Sequence, residues 1–292
     1  MSDKRAFLEE LELDFDLDRI GNLTLFEKYK FIHLIRLIYQ EAKFAEKEGV
    51  MHLNKSPNYT ANKTYTLFAM LLVHGTKPDL FQEIIMNYAR SFEKSDTNYA
   101  KISLIGVGLM MIEKGFSADA IFNYLMLLLG RDVLMKNKKY SGIPSSLDGL
   151  DMESVDEIEY KPFEGELRKL KYDMLALLDV SHSNGLDYTT DLINHIYGHE
   201  ELVFFYNMMN IGTPEVRNVM YNELMLSESR HRRILIAGAY AILNRYDVFT
   251  THYLFNSIIG KYSRYDKDSH EIEAEVQHRL KLIKEKERLE IM

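Results

Sequence analysis

The residues best suited to metal chemistry in this sequence are two Glu-x-x-His units, Glu228 with His231 and Glu275 with His278. Residues i and i+3 of a helix share a face, and di-iron carboxylate bundles use two such units plus a Glu from each of two further helices. The surroundings argue against it. His231 lies in Ser-Arg-His-Arg-Arg, whose arginines oppose a dication, and His278 lies in a highly charged terminal run. A di-iron-like helical-bundle metal protein or enzyme is therefore the runner-up reading. His195 and His199 are four residues apart, but no Glu directly follows His195 as a zinc-protease helix requires, so a surface or helix-end pair is expected.

Other catalytic patterns are incomplete. Ser91-Phe92-Glu93-Lys94 matches Ser-x-x-Lys without the Ser-Asp-Asn and Lys-Thr-Gly that accompany it in the β-lactamase type of site, and no Gly-x-Ser-x-Gly elbow occurs. Gly106-Val107-Gly108 lacks a third glycine at dinucleotide spacing, and no phosphate-binding Gly-x4-Gly-Lys-Ser/Thr loop is present. With no cysteine, thiolate nucleophiles, thiolate zinc, cysteine-ligated clusters and disulfides are excluded. The expectation is a protein with neither catalytic residues nor a cofactor.

Composition narrows the partners. The 292 residues, 46% hydrophobic and 27% charged with only 5 Pro, suit a folded chain of one or two domains. Lys and Arg number 36 against 44 Asp and Glu, so the positive field that supports nucleic-acid binding is lacking. Residues 1–20 are acidic and show neither the apolar run nor the cleavage site of a signal peptide, which predicts a cytoplasmic protein and gives the Asn-x-Ser/Thr triplets at Asn22, Asn58 and Asn62 no weight. The most apolar stretch, Ile102 to Leu129, is interrupted by Glu113, Lys114 and Asp119, short of the roughly 18–20 residues a spanning helix needs. No membrane insertion is expected.

The elements that must position any site are helical. Apolar residues recur at helical spacing at Phe31, Leu34, Ile35 and Ile38, at Leu67, Met70 and Leu71, at Ile121, Tyr124, Leu125 and Leu128, and at Leu235, Ala239 and Ile242. The abundant Tyr and Met, including Tyr206, Met209, Met220, Met225 and Tyr240, read as core packing. Pro78 and Pro214 follow Gly-Thr motifs, and a Thr cap with Pro in the first turn predicts helix starts near 77 and 214.

Two halves look alike. Glu48-Gly49-Val50 answers Asn184-Gly185-Leu186, Gly75-Thr76-Lys77-Pro78 answers Gly212-Thr213-Pro214, and Gly108 to Gly130 answers Gly238 to Gly260. Three landmarks in one order predict an all-α fold of two similar repeats. The division is an acidic arm over 1–26, a helical repeat over 27–136, an exposed linker over 137–162, a second repeat over 163–265 and a charged helix over 266–292. Gly49, Gly75 and Pro78, with Gly185, Gly212 and Pro214, are its structural turns, with Gly75 and Gly212 expected in left-handed helix-end conformations. The terminal stripe Ile272, Val276, Leu280, Ile283 and Leu289 suits one partner helix, making it a candidate docking face.

The segments LIRLIYQEAKFAEKEGVMHL and LFAMLLVHGTKPDLFQEIIMNYARSFEK, spanning about residues 34–94, resemble the cytoplasmic region of the flagellar stator subunit MotA. The matching positions are Ala45, Glu48, Gly49 and Val50, then Leu72, Val73, Gly75, Thr76, Pro78, Ile84 and Ile85. A fainter copy over about 170–225 keeps Gly185, Leu186, Gly212, Thr213 and Pro214. The family's membrane helices have no counterpart here, so the resemblance excludes an ion channel. It implies instead a rotor-facing surface, with Lys43, Lys47, Glu48, Lys77 and Asp79 as partner-binding candidates and a motor or switch component as the partner. The leading expectation is thus a non-catalytic interaction or scaffold protein, able also to self-associate. An α-solenoid adaptor unrelated to motility is the third reading.

Overall fold

A computed structural model describes residues 4, 6–9, 11, 15–60, 62–92, 95–130, 133, 165–197, 199–260 and 269–291. The fold is all-α, and no strand occurs among the described residues. The chain divides into two compact units, residues 1–158 and 159–292. The linker predicted over 137–162 lies outside the described residues.

In the first unit, α1 (Leu17–Gly21) and α2 (Leu25–Glu48) are followed by a 3-10 segment (Val50–Lys55), then α3 (Lys63–Val73), α4 (Pro78–Arg90), α5 (Asp96–Glu113) and α6 (Ala118–Leu128). Thr24 starts α2 with a capping box: its hydroxyl accepts from the Glu27 N–H while the Glu27 carboxylate accepts from the Thr24 N–H. Phe31, Leu34, Ile35, Ile38, Ala42 and Ala45 form the buried face of α2, and Gly49 at φ 92° ends it.

The centre of the unit is α5, whose residues from Tyr99 to Ile112 are all buried. It packs against α1, α2, α3, α4 and α6, while α2 also packs on α6. A helix apolar all round belongs in a core, which is why Ile102 to Ile112 carries no charge. Two glycines let neighbours approach its backbone. A Cβ on Gly108 would stand 2.6 Å from Ile38 Cγ2, and one on Gly106 would run into Ile85 Cγ2.

The acidic arm does not stand apart from this unit. Phe7, Leu11, Phe15, Ile20 and Leu23 are buried, Arg19 pairs with Asp96 at 2.7 Å, and the Asp16 N–H donates to Tyr99 Oη. The acidic residues alternate with apolar ones that the sequence reading passed over, and burial of those apolar side chains fixes the segment.

The second unit contains α7 (Glu166–Asn184), α8 (Leu186–Asp191), a π-helical segment (Leu192–Tyr197), α9 (Glu200–Asn210), α10 (Pro214–Leu224), α11 (Arg230–Asn244), α12 (Val248–Ile259) and α13 (Ser269–Ile291). Here α11 packs on α7, α9, α10 and α12, and α12 packs on α7. Gly238 of α11 makes the close crossing, since a Cβ there would lie 2.8 Å from Met174 Sδ of α7.

Two helix-end expectations need correction. Pro78 and Pro214 do open α4 and α10, but only Thr213 caps its helix; the residue before Pro78 is Lys77, which caps with no side chain, and Thr76 is buried one position earlier. Gly75 is left-handed at φ 75°, its N–H donating to Leu72 O and that of Thr76 to Leu71 O. Gly212 is not at positive φ, so its role is space: a Cβ there would come within 3.0 Å of Val216 Cγ1.

Gly108→Val should lower stability by roughly 1–3 kcal/mol through overpacking, with part recovered by adding Ile38→Ala; thermal melts of the single and double variants check this. Gly75→Val should cost about 1–2 kcal/mol from left-handed strain alone. The hydrogen bonds from Thr24 hydroxyl and N–H, then Thr97, hold the Glu27 carboxyl below its usual range. A lowered folded value means a contribution present above about pH 4.3, the unfolded value, and lost as pH falls through the folded one. Glu27→Gln should therefore flatten the acid limb of stability against pH.

Candidate functional site

The five partner-binding candidates lie at one end of the first unit, on either side of the turn joining α5 to α6. Glu46 near the end of α2 accepts from the Ala118 N–H at 2.7 Å, while Asp79 at the start of α4 acts electrostatically on Glu113 at the end of α5. Burial, with Asp79 adding to it against Lys114, raises the Glu113 carboxyl. Lys43 is not a free surface charge. It bridges Glu46 at 3.4 Å and Asp119 at 4.0 Å, with Tyr39 Oη donating to the same Asp119, so it ties α2 to α6. Lys47 is largely exposed and pairs with neighbouring Glu48 at 3.0 Å; Lys77 and Asp79 are exposed.

The metal candidates are not assembled. Glu228 precedes the Ser229 cap of α11 and so shares no helix face with His231, which starts inside the helix. His231 turns instead to Glu201 at 3.8 Å and lays its ring 5.5 Å from that of His199, the residue that caps α9. Glu275 and His278 lie on α13, which packs on α7 and the π segment. Among the described residues no three His, Asp or Glu side chains gather to hold a metal ion. Lys94 of the Ser-x-x-Lys match lies outside the described residues.

The terminal stripe has its partner helix within the chain. Ile272, Val276, Leu280 and Ile283 are buried as α13 packs on α7. Arg279 forms an ion pair with the nearly buried Asp173, and Tyr188 Oη donates to Glu287 at 2.8 Å. The stripe is thus an internal contact, which the charged opposite face of α13 concealed from the sequence.

A surface the sequence reading did not single out lies on α9 and α10. Phe204 is 60% exposed, Ile211 88%, Val219 63% and Leu226 77%, and Val216 is exposed beside them. Val203, Phe204, Met208 and Ile211 line an open groove of about 700 Å3 with Asn194 of the π segment, Asn207 and Glu200. The positions follow from helix geometry, as residues 204, 208 and 211 repeat on one face.

Val216 and Val219 are bare because of how α10 is attached. Of its residues only Tyr221 is buried, stacked on Tyr240 at 4.0 Å, while Met220, Met225 and Tyr240, expected in the core, are half-exposed. Arg217 donates from Nε to Met209 O and from Nη1 to Leu243 O, and Tyr240 Oη donates to Asn218 Oδ1 at 2.6 Å. In α4 the same task falls to Leu80, Phe81, Ile84, Ile85 and Tyr88, all buried. Replacing an apolar face by a guanidinium clamp holds α10 and leaves its valines uncovered. The signal available in the sequence was Val216, Val219 and Leu226 lying off the stripe that faces α11.

Arg279→Leu should destabilise the protein by roughly 3–5 kcal/mol, because it strands a buried Asp173 carboxylate, and Asp173→Leu in the same chain should restore much of that; denaturant titration of the three variants measures it. No family model, curated protein or solved structure matches this chain.

Proposed function

We propose that this chain is a non-catalytic interaction protein built from two copies of one helical unit, with the second copy presenting its uncovered face to another protein. The observation that carries the reading is the apolar surface of Phe204, Ile211, Val216, Val219 and Leu226. Exposed large apolar side chains on a folded protein, here on two successive helices, point to an interaction site. The half-exposed Lys43 network and the exposed Lys47, Lys77 and Asp79 offer a second, charged surface on the first unit.

Duplication draws support from packing repeated in the same order. The crossings α2 on α5, α2 on α6, α3 on α5, α4 on α5 and α5 on α6 have counterparts in α7 on α11, α7 on α12, α9 on α11, α10 on α11 and α11 on α12. Ile38 over Gly108 corresponds to Met174 over Gly238. The helix after each crossing ends alike: Gly115 at φ 67° and Arg245 at φ 51° both close left-handed turns in which the next N–H returns to the carbonyl five residues back. Arg245 takes the conformation without being glycine, at a cost of about 1–2 kcal/mol.

The resemblance at Glu48 to Val50 and Gly75 to Pro78 makes a flagellar motor or switch component the first partner to test. No described helix is long and apolar enough to cross a membrane. Phe204→Asp with Val219→Asp should leave the melting temperature within a few degrees, both side chains being exposed, and should abolish recovery of the partner from crosslinked native cells. Recovery of the same neighbours by the variant would overturn this face as the interaction site.

A further inference from the structure

We infer that α10, with the connections flanking it, is a strap that leaves its seat on α9 and α11 while the rest of the second unit stays folded. From Ile211 to Arg230 the one buried residue is Tyr221. In α4, which holds the corresponding place in the first unit, Leu80, Phe81, Ile84, Ile85 and Tyr88 are all buried. An element with few buried apolar side chains opens at a lower free energy than the core around it. The helices under the strap are anchored more deeply, α9 by Leu202, Phe205, Tyr206 and Met209 and α11 by its buried run from Ile234 to Ala239.

What holds α10 is local and largely polar. Arg217 donates at 3.2 Å to Met209 O and at 3.2 Å to Leu243 O, carbonyls in the last turns of α9 and α11. Carbonyls of a last turn have no partner in their own helix, and a cation is favoured at that end. One guanidinium therefore caps two helices. Tyr221 stacks on Tyr240 at 4.0 Å, and Tyr240 Oη donates to Asn218 Oδ1 at 2.6 Å. Arg217 and Tyr221 stand one turn apart on the same face of α10, so the helix is released when that single face lets go.

Once off its seat α10 does not persist as a helix. Its 11 residues include Val216, Asn218, Val219 and Asn222, all weak helix formers. A helix of fewer than about 12–15 residues is marginal in water by itself, and the Thr213 cap with Pro214 secures only the first turn. Detachment and unwinding are thus one event, which leaves the amides of Asn218 to Leu224 open to solvent. The same event bares the ring face of Tyr240 and the Met209 and Leu243 carbonyls, and it takes Val216 and Val219 out of their helix. A ligand of either state shifts the balance by its differential affinity.

Hydrogen exchange of the full chain, read by mass spectrometry over Asn218 to Leu224, tests this against two controls, Ile234 to Leu243 of α11 and Ile84 to Arg90 of α4. The strap amides should exchange about tenfold or more faster than either control, through an opening with a shallower dependence on denaturant than that of α11. Arg217→Gln should speed the strap about tenfold or more, with α11 exchange and the melting temperature near those of the parent chain. Arg217→Lys, which keeps the charge but not the fork, should speed it less. Tyr240→Phe keeps the stack and loses only the bond to Asn218, so it should speed the strap several-fold and serves where an Arg217 variant fails to fold. Strap amides that exchange at the rate and denaturant slope of α11 overturn the inference, because α10 then opens only with its unit. So does an Arg217→Gln chain in which α9 and α11 are sped as much as α10, or a strap indifferent to both Arg217→Gln and Tyr240→Phe.

Discussion

Close approach of one helix to the backbone of another, made possible by a missing side chain, is the constraint on which each unit depends. Glycine inside a helix costs up to about 1 kcal/mol relative to alanine, and Gly108 and Gly238 return that cost by letting Ile38 and Met174 sit where a Cβ would be. The central helices can then be surrounded closely, and the contacts of α5 with five neighbours follow from this. Packing at native density transmits any change at such a crossing to every element around it.

The two units differ in where they place buried polarity. In the first, the wholly buried Glu41 of α2 accepts hydrogen bonds from Ser56 and Tyr65 at 2.5 and 2.6 Å, joining α2 to the 3-10 segment and α3. Burial and the neighbouring carboxylate push the Tyr65 phenol well up, which keeps it a donor. The corresponding positions in the second unit are Leu177 and Leu202, both buried. There the polar groups sit between α7 and α12 instead, with Lys171 Nζ donating to Asn256 Oδ1 and Asn256 in turn meeting His252 Nε2. Ile35, Phe122 and Met126 occupy the corresponding places in the first unit. A buried polar network specifies its own neighbours more narrowly than an apolar contact does, so the two units are most specific at different seams.

Their surfaces differ as well. Apolar side chains hold α4 across its width, whereas α10 is held by the Arg217 clamp, the Tyr221–Tyr240 stack and the hydrogen bond from Tyr240 to Asn218. A clamp of hydrogen bonds to carbonyls fixes position without needing area, and it frees apolar residues to face outward. The uncovered Val216 and Val219 of α10 arise from that exchange.

Much of this architecture was legible in the residues alone. Helical periodicity, the Pro starts at 78 and 214 and the glycine ends at 49, 75 and 185 depend on local backbone energetics, which sequence carries directly. The sequence also determined the absence of thiol chemistry and the acidic balance. Tertiary structure alone decided the rest, because it depends on which face of a helix finds a neighbour. It placed Ile272 to Ile283 on α7 rather than on a foreign helix, turned His231 toward Glu201 rather than Glu228, drew Lys43 into the α2–α6 contact, and gave Gly212 a spatial rather than a conformational role. It also left Phe204 and Ile211 bare, since an apolar residue at helical spacing is the same letter whether or not another element arrives to cover it.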